Sequence, residues 1–114
     1  MRTCYISGPM RGQPGMGIPA FYAAEGRLVA TGWKVINPAR LDTTEPCGFP
    51  EGGAEWLRFH AKRDLDLIMA LRQEQGGAIV VLPGWSKSIG AQAEVALAKW
   101  IEVPVLALCE AVGS

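Results

Sequence analysis

Two carboxylates and a phenol stand where they could act on one small molecule. Glu94 lies about two turns into a predicted helix that follows the apolar run 78–82 and a Pro-Gly-Trp turn, and Tyr5 lies in the first predicted strand. Asp64 falls on the apolar stripe of another predicted helix, where an unpaired carboxylate is costly, so it has either a partner or a task. A nucleophilic carboxylate, a second carboxyl as acid and a phenol can together break a bond at an anomeric carbon. The set indicates glycosyl chemistry.

Apolar runs alternate with amphipathic segments along the chain. Strands are predicted at 3–7, 33–36, 78–82 and 103–108, and helices at 20–31, 54–75 and 89–100. Continuous apolar strands that alternate with helices predict a parallel sheet covered on both faces and joined by right-handed crossovers. We expect a small doubly wound α/β fold, Rossmann-like or flavodoxin-like, of about four strands in the order βαβαβαβ. The length of 114 residues predicts a single domain over 1–114.

Three segments lack a periodic pattern and are predicted to be irregular. The stretch 39–53 is a long loop, which is often functional or mobile. The glycine-rich run 12–18 is interpreted as a flexible flap over the crevice. The tail 110–114 is predicted to fray or to enter a subunit contact. Because ligands of open α/β sheets bind outside the carboxyl ends of the strands, we expect the site at that edge.

Composition excludes several classes of protein. The 11 basic and 11 acidic residues give zero net charge with no basic block, which argues against a binder of polymeric DNA or RNA. Three cysteines without ligand spacing and a single histidine predict no metal site. No segment is apolar over the length of a signal peptide or a membrane span, so we expect a cytoplasmic protein. A hydrophobic fraction of 49% favours some surface covered by a partner chain.

An ordered set of short motifs resembles a known family. The motifs are Tyr5-Ile6-Ser7-Gly8-Pro9-Met10-Arg11-Gly12, Asn37-Pro38, Arg63-Asp64-Leu65, Leu82-Pro83-Gly84-Trp85 and Ser88-x-Gly90-Ala91-x-x-Glu94. From Tyr5 to about Val105 the chain resembles the nucleoside 2-deoxyribosyltransferase-like superfamily, and most of all its short phage and bacterial members. That superfamily includes transferases that exchange bases on deoxyribose and hydrolases that release the base from a nucleoside monophosphate.

The resemblance implies a role for each candidate. Glu94 matches the nucleophile that forms a glycosyl-enzyme intermediate, Asp64 the acid that protonates the departing base, and Tyr5 the phenol that orients the nucleophile. Arg11 and Ser88 match positions near a bound 5'-phosphate, where a guanidinium, a hydroxyl and loop amides make an anion site. The predicted substrate-binding residues are Ser7, Gly8, Pro9, Met10, Arg11, Asn37, Trp85, Ser88 and Gly90. No metal and no organic cofactor is implied.

Simpler structural explanations stand beside these roles. A glutamate in an early helical turn favours the helix dipole. Asp64 could instead form a structural ion pair. Its candidate partners are Arg63, Arg58 and His60. Tyr5 could be an ordinary core residue of its strand, and Trp85 could stack on a base or pack beneath its turn.

The sequence predicts an enzyme that cleaves the N-glycosidic bond of a nucleoside or nucleoside 5'-monophosphate, or transfers its base, through a covalent glycosyl-Glu94 intermediate. Two alternatives remain open. Pro9 stands where the hydrolases have a hydroxyl residue, and Gly77 stands just before the third strand, where relatives tend to carry an aspartate. These two departures favour a nucleotide-binding or sensing module without catalysis. The same carboxylates would also serve a glycohydrolase of a larger nucleotide such as NAD. Because a neighbouring subunit completes the site in relatives, we expect a homodimer or a larger homo-oligomer.

Overall fold

The computed structural model describes residues 2–73 and 75–113. The strands are β1 (Thr3–Ser7), β2 (Lys34–Ile36), β3 (Ala78–Val81) and β4 (Val105–Ala107). The helices are α1 (Ile18–Ala30), α2 (Pro38–Thr44), α3 (Ala54–Leu71), α4 (Ile89–Trp100) and α5 (Leu108–Ala111). Short 3-10 turns cover Pro14–Gly17 and Trp85–Lys87. No helix in these two ranges combines the length and the apolar character needed to cross a bilayer.

All four strands run parallel in the order β2-β1-β3-β4. In β1, Cys4 lies opposite Val35 of β2, and Ile6 lies opposite Val80 of β3. The chain first moves from β1 to β2 at one edge and then crosses back to β3 on the other side of β1. The switch point therefore lies between the carboxyl ends of β1 and β3, where doubly wound folds bind ligands. The predicted doubly wound α/β fold of four strands is confirmed.

Side chains of β1 alternate between two covered faces of the sheet. Cys4 and Ile6 join a buried cluster with Phe21 of α1, and we call this side the α1 face. Tyr5 joins a second cluster with Ile68 of α3 and residues of α4, and we call that side the α3–α4 face. Burial of each large apolar side chain contributes about 1.5–3 kcal/mol, so the sheet is held from both sides.

The predicted loop 39–53 is wrong over its first part, because α2 occupies Pro38–Thr44. Asn37 caps this helix by accepting a hydrogen bond at Oδ1 from the backbone N–H of Ala39 (2.9 Å). Pro38 follows at the first helical position, where its missing N–H is harmless and its fixed φ suits the helix. Only residues 45–53 remain irregular.

Helix α3 is shorter than predicted, and the tail is helical up to Ala111. The helix predicted to residue 75 ends at Leu71, and two of its apolar residues, Leu57 and Met69, are 46% and 43% exposed. In the tail, α5 packs on the α1 face through Ala111, whose carbonyl accepts a hydrogen bond from Trp33 Nε1 (3.0 Å). The prediction that the tail frays is therefore wrong up to Ala111, while Ser114 lies outside the described residues.

The glycine-rich run 12–18 folds back against the end of β1. Its 3-10 turn places Gly17 at φ 74°, and a Cβ at this position would lie 2.5 Å from the carbonyl oxygen of Pro9. Only glycine fits such a close backbone approach. The mobility of this segment stays a prediction.

Candidate active site

The carboxylate of Glu94 is held by two hydroxyls of β1. Tyr5 Oη donates a hydrogen bond to Oε2 (2.6 Å), and Ser7 Oγ donates one to Oε1 (2.7 Å). Tyr5 and Ser7 are only 0% and 1% exposed, and they lie two residues apart, so both point to the α3–α4 face. Because each carboxylate oxygen has its own charge-assisted donor, the group is fixed in orientation.

Glu94 is placed to change its charge near neutral pH. Burial raises its pKa from the usual 4.5 to about 7, while the hydrogen bonds from Tyr5 and Ser7 lower it and the charge of Asp64 raises it. Burial also raises the pKa of Tyr5 well above its usual 10. The phenol therefore keeps its proton and acts as a donor to the carboxylate.

Asp64 projects from α3 beside this carboxylate and is paired through one of its oxygens. Arg63 Nε donates a hydrogen bond to Asp64 Oδ1 (2.9 Å), and Arg63 Nη2 lies 2.8 Å from the same oxygen. Within the described ranges no hydrogen bond reaches Oδ2. Burial raises the pKa of Asp64, and the charge of Arg63 lowers it. Of the three expected ion-pair partners, the structure places Arg63 here.

Asp42 of α2 extends this ion pair into a network. Its Oδ1 accepts a hydrogen bond from Arg63 Nη2 (2.7 Å) and lies 3.3 Å from His60 Nε2. His60 Nδ1 lies 2.9 Å from the carbonyl oxygen of Trp56, which can only accept, so Nδ1 carries a hydrogen. Across the residues that the structure describes, no three His, Cys, Asp or Glu side chains are grouped as a metal site requires.

One cleft of about 880 Å³ at the switch point contains these carboxyl groups. The predicted site residues that line it are Tyr5, Gly8, Pro9, Met10, Arg11, Asp64, Ser88, Gly90 and Glu94. Sequence reasoning missed six further polar or aromatic lining residues, which are Gln13, Phe21, Asp42, Trp56, His60 and Lys87. A volume of this size suits a small metabolite or cofactor-sized molecule.

The chain matches the model of a protein family and is similar to a solved structure. Residues 2–107 match the model of DUF4406, a domain of unknown function. The chain belongs to the DUF4406 family. No curated protein matches the DUF4406 chain.

Among solved structures, the DUF4406 chain is similar to a 2-deoxyribosyltransferase from the psychrotolerant bacterium Bacillus psychrosaccharolyticus. The two share 19% sequence identity with a TM-score of 0.63, over 92% of this chain and 70% of the other. At this identity the likeness concerns the fold, and it confirms a deoxyribosyltransferase-like fold.

Three predicted substrate-binding residues of the DUF4406 chain lie outside the cleft lining. Ser7 stands behind Glu94 and holds it. Asn37 is 3% exposed, caps α2 and donates a hydrogen bond from Nδ2 to Glu25 Oε1 (3.0 Å). Trp85 packs against the apolar cluster of the α3–α4 face. Of these three side chains, only Ser7 forms a hydrogen bond with a residue of the cleft lining.

Cationic groups share the cleft of the DUF4406 chain with the carboxyl groups. Arg11 lies with its guanidinium carbon 5.4 Å from the centre of the Trp56 ring, and Lys87 precedes the first turn of α4. Ser88 caps α4 by accepting a hydrogen bond from the N–H of Ala91 (3.3 Å). The cleft therefore combines cationic groups that can attract an anion with two carboxyl groups that can reach the same ligand.

Proposed function

We propose that this chain cleaves the N-glycosidic bond of a nucleoside or nucleoside 5'-monophosphate, by hydrolysis or by transfer of the base, through a covalent intermediate on Glu94. One observation carries the proposal: both oxygens of the Glu94 carboxylate are held by hydroxyls, in a cleft that Asp64 also enters. The likeness to a 2-deoxyribosyltransferase supports this substrate class.

In the first step, an oxygen of ionised Glu94 attacks the anomeric carbon of the sugar. The bond from that carbon to the base nitrogen breaks, its electron pair passes to the nitrogen, and the base takes a proton from Asp64. The products are a glycosyl ester on Glu94, a free base and an ionised Asp64. The burial of Asp64 supports this acid role, because it raises the pKa of the carboxyl group.

In the second step, water or another base attacks the anomeric carbon of the ester. The ester bond breaks, the electron pair returns to Glu94, and Asp64 takes a proton from the attacking water or base. Tyr5 and Ser7 then stabilise the negative charge that returns to the carboxylate. Hydrolysis and base transfer differ only in the group that attacks.

A 5'-phosphate is a suitable ligand for the cationic part of the cleft. Arg11, Lys87 and Ser88 line the same cleft as Glu94, and free amides of the first turn of α4 add donors. Pro9 supplies no hydroxyl at this end, so the proposal assigns phosphate recognition to these side chains and amides. A homo-oligomer and a cytoplasmic location stay predictions.

The test is a search for free base. The purified chain is incubated with 2'-deoxynucleosides, ribonucleosides, their 5'-monophosphates and NAD, each with and without a second base, and the products are separated by chromatography. Glu94→Ala is expected to lower base release at least about 1,000-fold, because the nucleophile is lost. Intact-protein mass spectrometry of the wild type is expected to detect the glycosyl adduct, which is absent from the variant.

Glu102→Gln is the matched control, because Glu102 is exposed just beyond α4. Circular dichroism checks that both variants fold. Undiminished base release by folded Glu94→Ala would refute the mechanism. Nucleotide binding in a calorimeter without any release of base would instead favour the non-catalytic module, and cleavage confined to NAD would favour the larger-nucleotide hydrolase.

A further inference from the structure

Asp42 was not among the residues predicted to form the site, yet it enters the cleft beside Asp64. It reaches the cleft from α2, where its Oδ1 accepts a 2.7 Å hydrogen bond from Arg63 Nη2. The same nitrogen lies 2.8 Å from Asp64 Oδ1. Two carboxylates therefore share one guanidinium, and the local charge of the three groups in their ionised forms is negative.

We propose that Asp42 is a positioning residue that shares Arg63 with Asp64 and thereby leaves Asp64 Oδ2 able to carry the proton taken by the departing base. This inference rests on the proposed function, because it concerns the acid of that reaction.

The shape of the Arg63 contacts supports the inference. Arginine commonly pairs with a carboxylate through two parallel hydrogen bonds, one to each oxygen. Here both contacts of Arg63 with Asp64 converge on Oδ1, because Nη2 also serves Asp42. Arg63 Nη1 is buried and has no hydrogen-bond partner among the described residues. Without Asp42, the guanidinium is free to turn and to bind both oxygens of Asp64.

The charge of Asp42 supports the same inference as its contact with Arg63. The ionisable groups around it are Arg63 and His60 from α3, Asp42 from α2, Glu94 from α4 and Tyr5 from β1. Burial raises the pKa of Asp64, Arg63 lowers it, and Asp42 raises it. Removal of the charge on Asp42 therefore leaves the charge of Arg63 less opposed, and Asp64 holds its proton less tightly.

This change matters because Asp64 and Glu94 act as a pair. The productive form has a proton on Asp64 and none on Glu94. When Asp64 binds its proton less tightly, a larger share of the singly protonated enzyme carries the proton on Glu94, which is then no nucleophile. Asp42 thus favours the productive arrangement without contact to the reacting atoms.

The experiment is a carbon-13 NMR titration of aspartate carboxyl groups in the wild type and in Asp42→Asn, with the Asp64 signal assigned from Asp64→Asn. We expect the Asp64 midpoint to move to lower pH by about one pH unit in Asp42→Asn, because a neighbouring negative charge is gone. Asp42→Glu, which retains the charge, is expected to restore most of the midpoint. Asp66→Asn is the control, because Asp66 is 51% exposed and pairs with Lys62.

Steady-state kinetics give the second readout. In Asp42→Asn we expect kcat/KM for base release to fall about tenfold, in proportion to the lower proton affinity. An unchanged Asp64 midpoint in folded Asp42→Asn would overturn the inference even if the wild type is active. A shifted midpoint in a chain that releases no base would leave the Asp42 coupling standing and refute the proposed function. If Asp42→Asn does not fold, Asp42→Ser gives the same comparison.

Discussion

Strand β1 buries two pairs of side chains in opposite directions, and the same physical cause has opposite chemical results on the two faces. On the α1 face, burial raises the pKa of Cys4 to about 12, so the thiol stays neutral and unreactive. On the α3–α4 face, burial raises the pKa of Glu94 to about 7, which brings the carboxyl group to the edge of ionisation. Desolvation thus keeps the Cys4 thiol protonated, whereas it brings the ionisation of Glu94 into the neutral pH range.

The difference arises from the hydrogen-bond donors. Tyr5 and Ser7, the neighbours of Cys4 and Ile6 in the strand, direct two hydroxyls at Glu94 and so oppose its desolvation. Comparable burial on both faces therefore does not mark the site. The chemistry of the buried groups does.

Truncation of a core residue on the α1 face is expected to affect stability alone. Leu28 is 0% exposed in the α1-face cluster, so Leu28→Ala should lower the free energy of unfolding by about 2–5 kcal/mol. Val29→Ala is the control, because Val29 is 55% exposed. Urea unfolding measures both, and base release per folded molecule should be unchanged. A large loss of kcat in folded Leu28→Ala would contradict the prediction that the α1 face affects stability alone.

Removal of the Glu94 charge is expected to change how stability depends on pH. Because the pKa of Glu94 is about 7 in the folded chain and 4.5 ordinarily, the folded state binds more protons between these values. Its contribution to stability is therefore fully present below pH 4.5 and is lost as pH rises through 7. Glu94→Gln lacks this loss, so its stability relative to the wild type should rise by about 3 kcal/mol between pH 4 and pH 8.

Urea unfolding of the wild type and Glu94→Gln at several pH values measures this difference. Parallel stability curves for the two proteins would show that burial does not raise the pKa of Glu94 in the folded state.

Removal of the donors to Glu94 is expected to shift the pH dependence of activity. Tyr5→Phe and Ser7→Ala each delete a hydrogen bond that lowers the pKa of Glu94, so more alkaline conditions are needed to ionise it. The acidic limb of kcat/KM against pH should move to higher pH, and activity at pH 7 should fall about tenfold for Tyr5→Phe. The smaller effect is expected for Ser7→Ala. Tyr22→Phe, on the α1 face, is the control, and an equal loss there would contradict the assignment.

Local sequence patterns were sufficient to predict the sheet. Apolar runs located all four strands, glycine or proline ended the first three, and their alternation with helices predicted a parallel sheet. The fourth run, predicted as a strand over 103–108, forms a strand only at Val105–Ala107, because α5 begins at Leu108. Helix α2 was not predicted, because its seven residues are too few to form an apolar stripe of helical period. The pair Asn37-Pro38 was the available signal, since an N-cap followed by proline opens a helix. Asp42 was missed with that helix.

Nine of the twelve predicted site residues line the cleft, but their contacts could not be predicted. Strand alternation places Ser7 on the same side as Tyr5, which was a usable sign that both serve one partner. The sequence could not show that this partner is Glu94, because 87 residues separate it from Ser7 and only the packing of α4 on β1 brings them together. The ion pair of Asp64 was among the expected alternatives, whereas the second carboxylate on Arg63 was not.

Helix α4 carries Ser88 at its amino end and Glu94 six residues later. At 1.5 Å per residue, the two lie about 9 Å apart along the axis. Both residues belong to one helix, so their spacing along its axis is fixed for any molecule that contacts both. Movement of the surrounding loops can widen or narrow the entrance without altering that length.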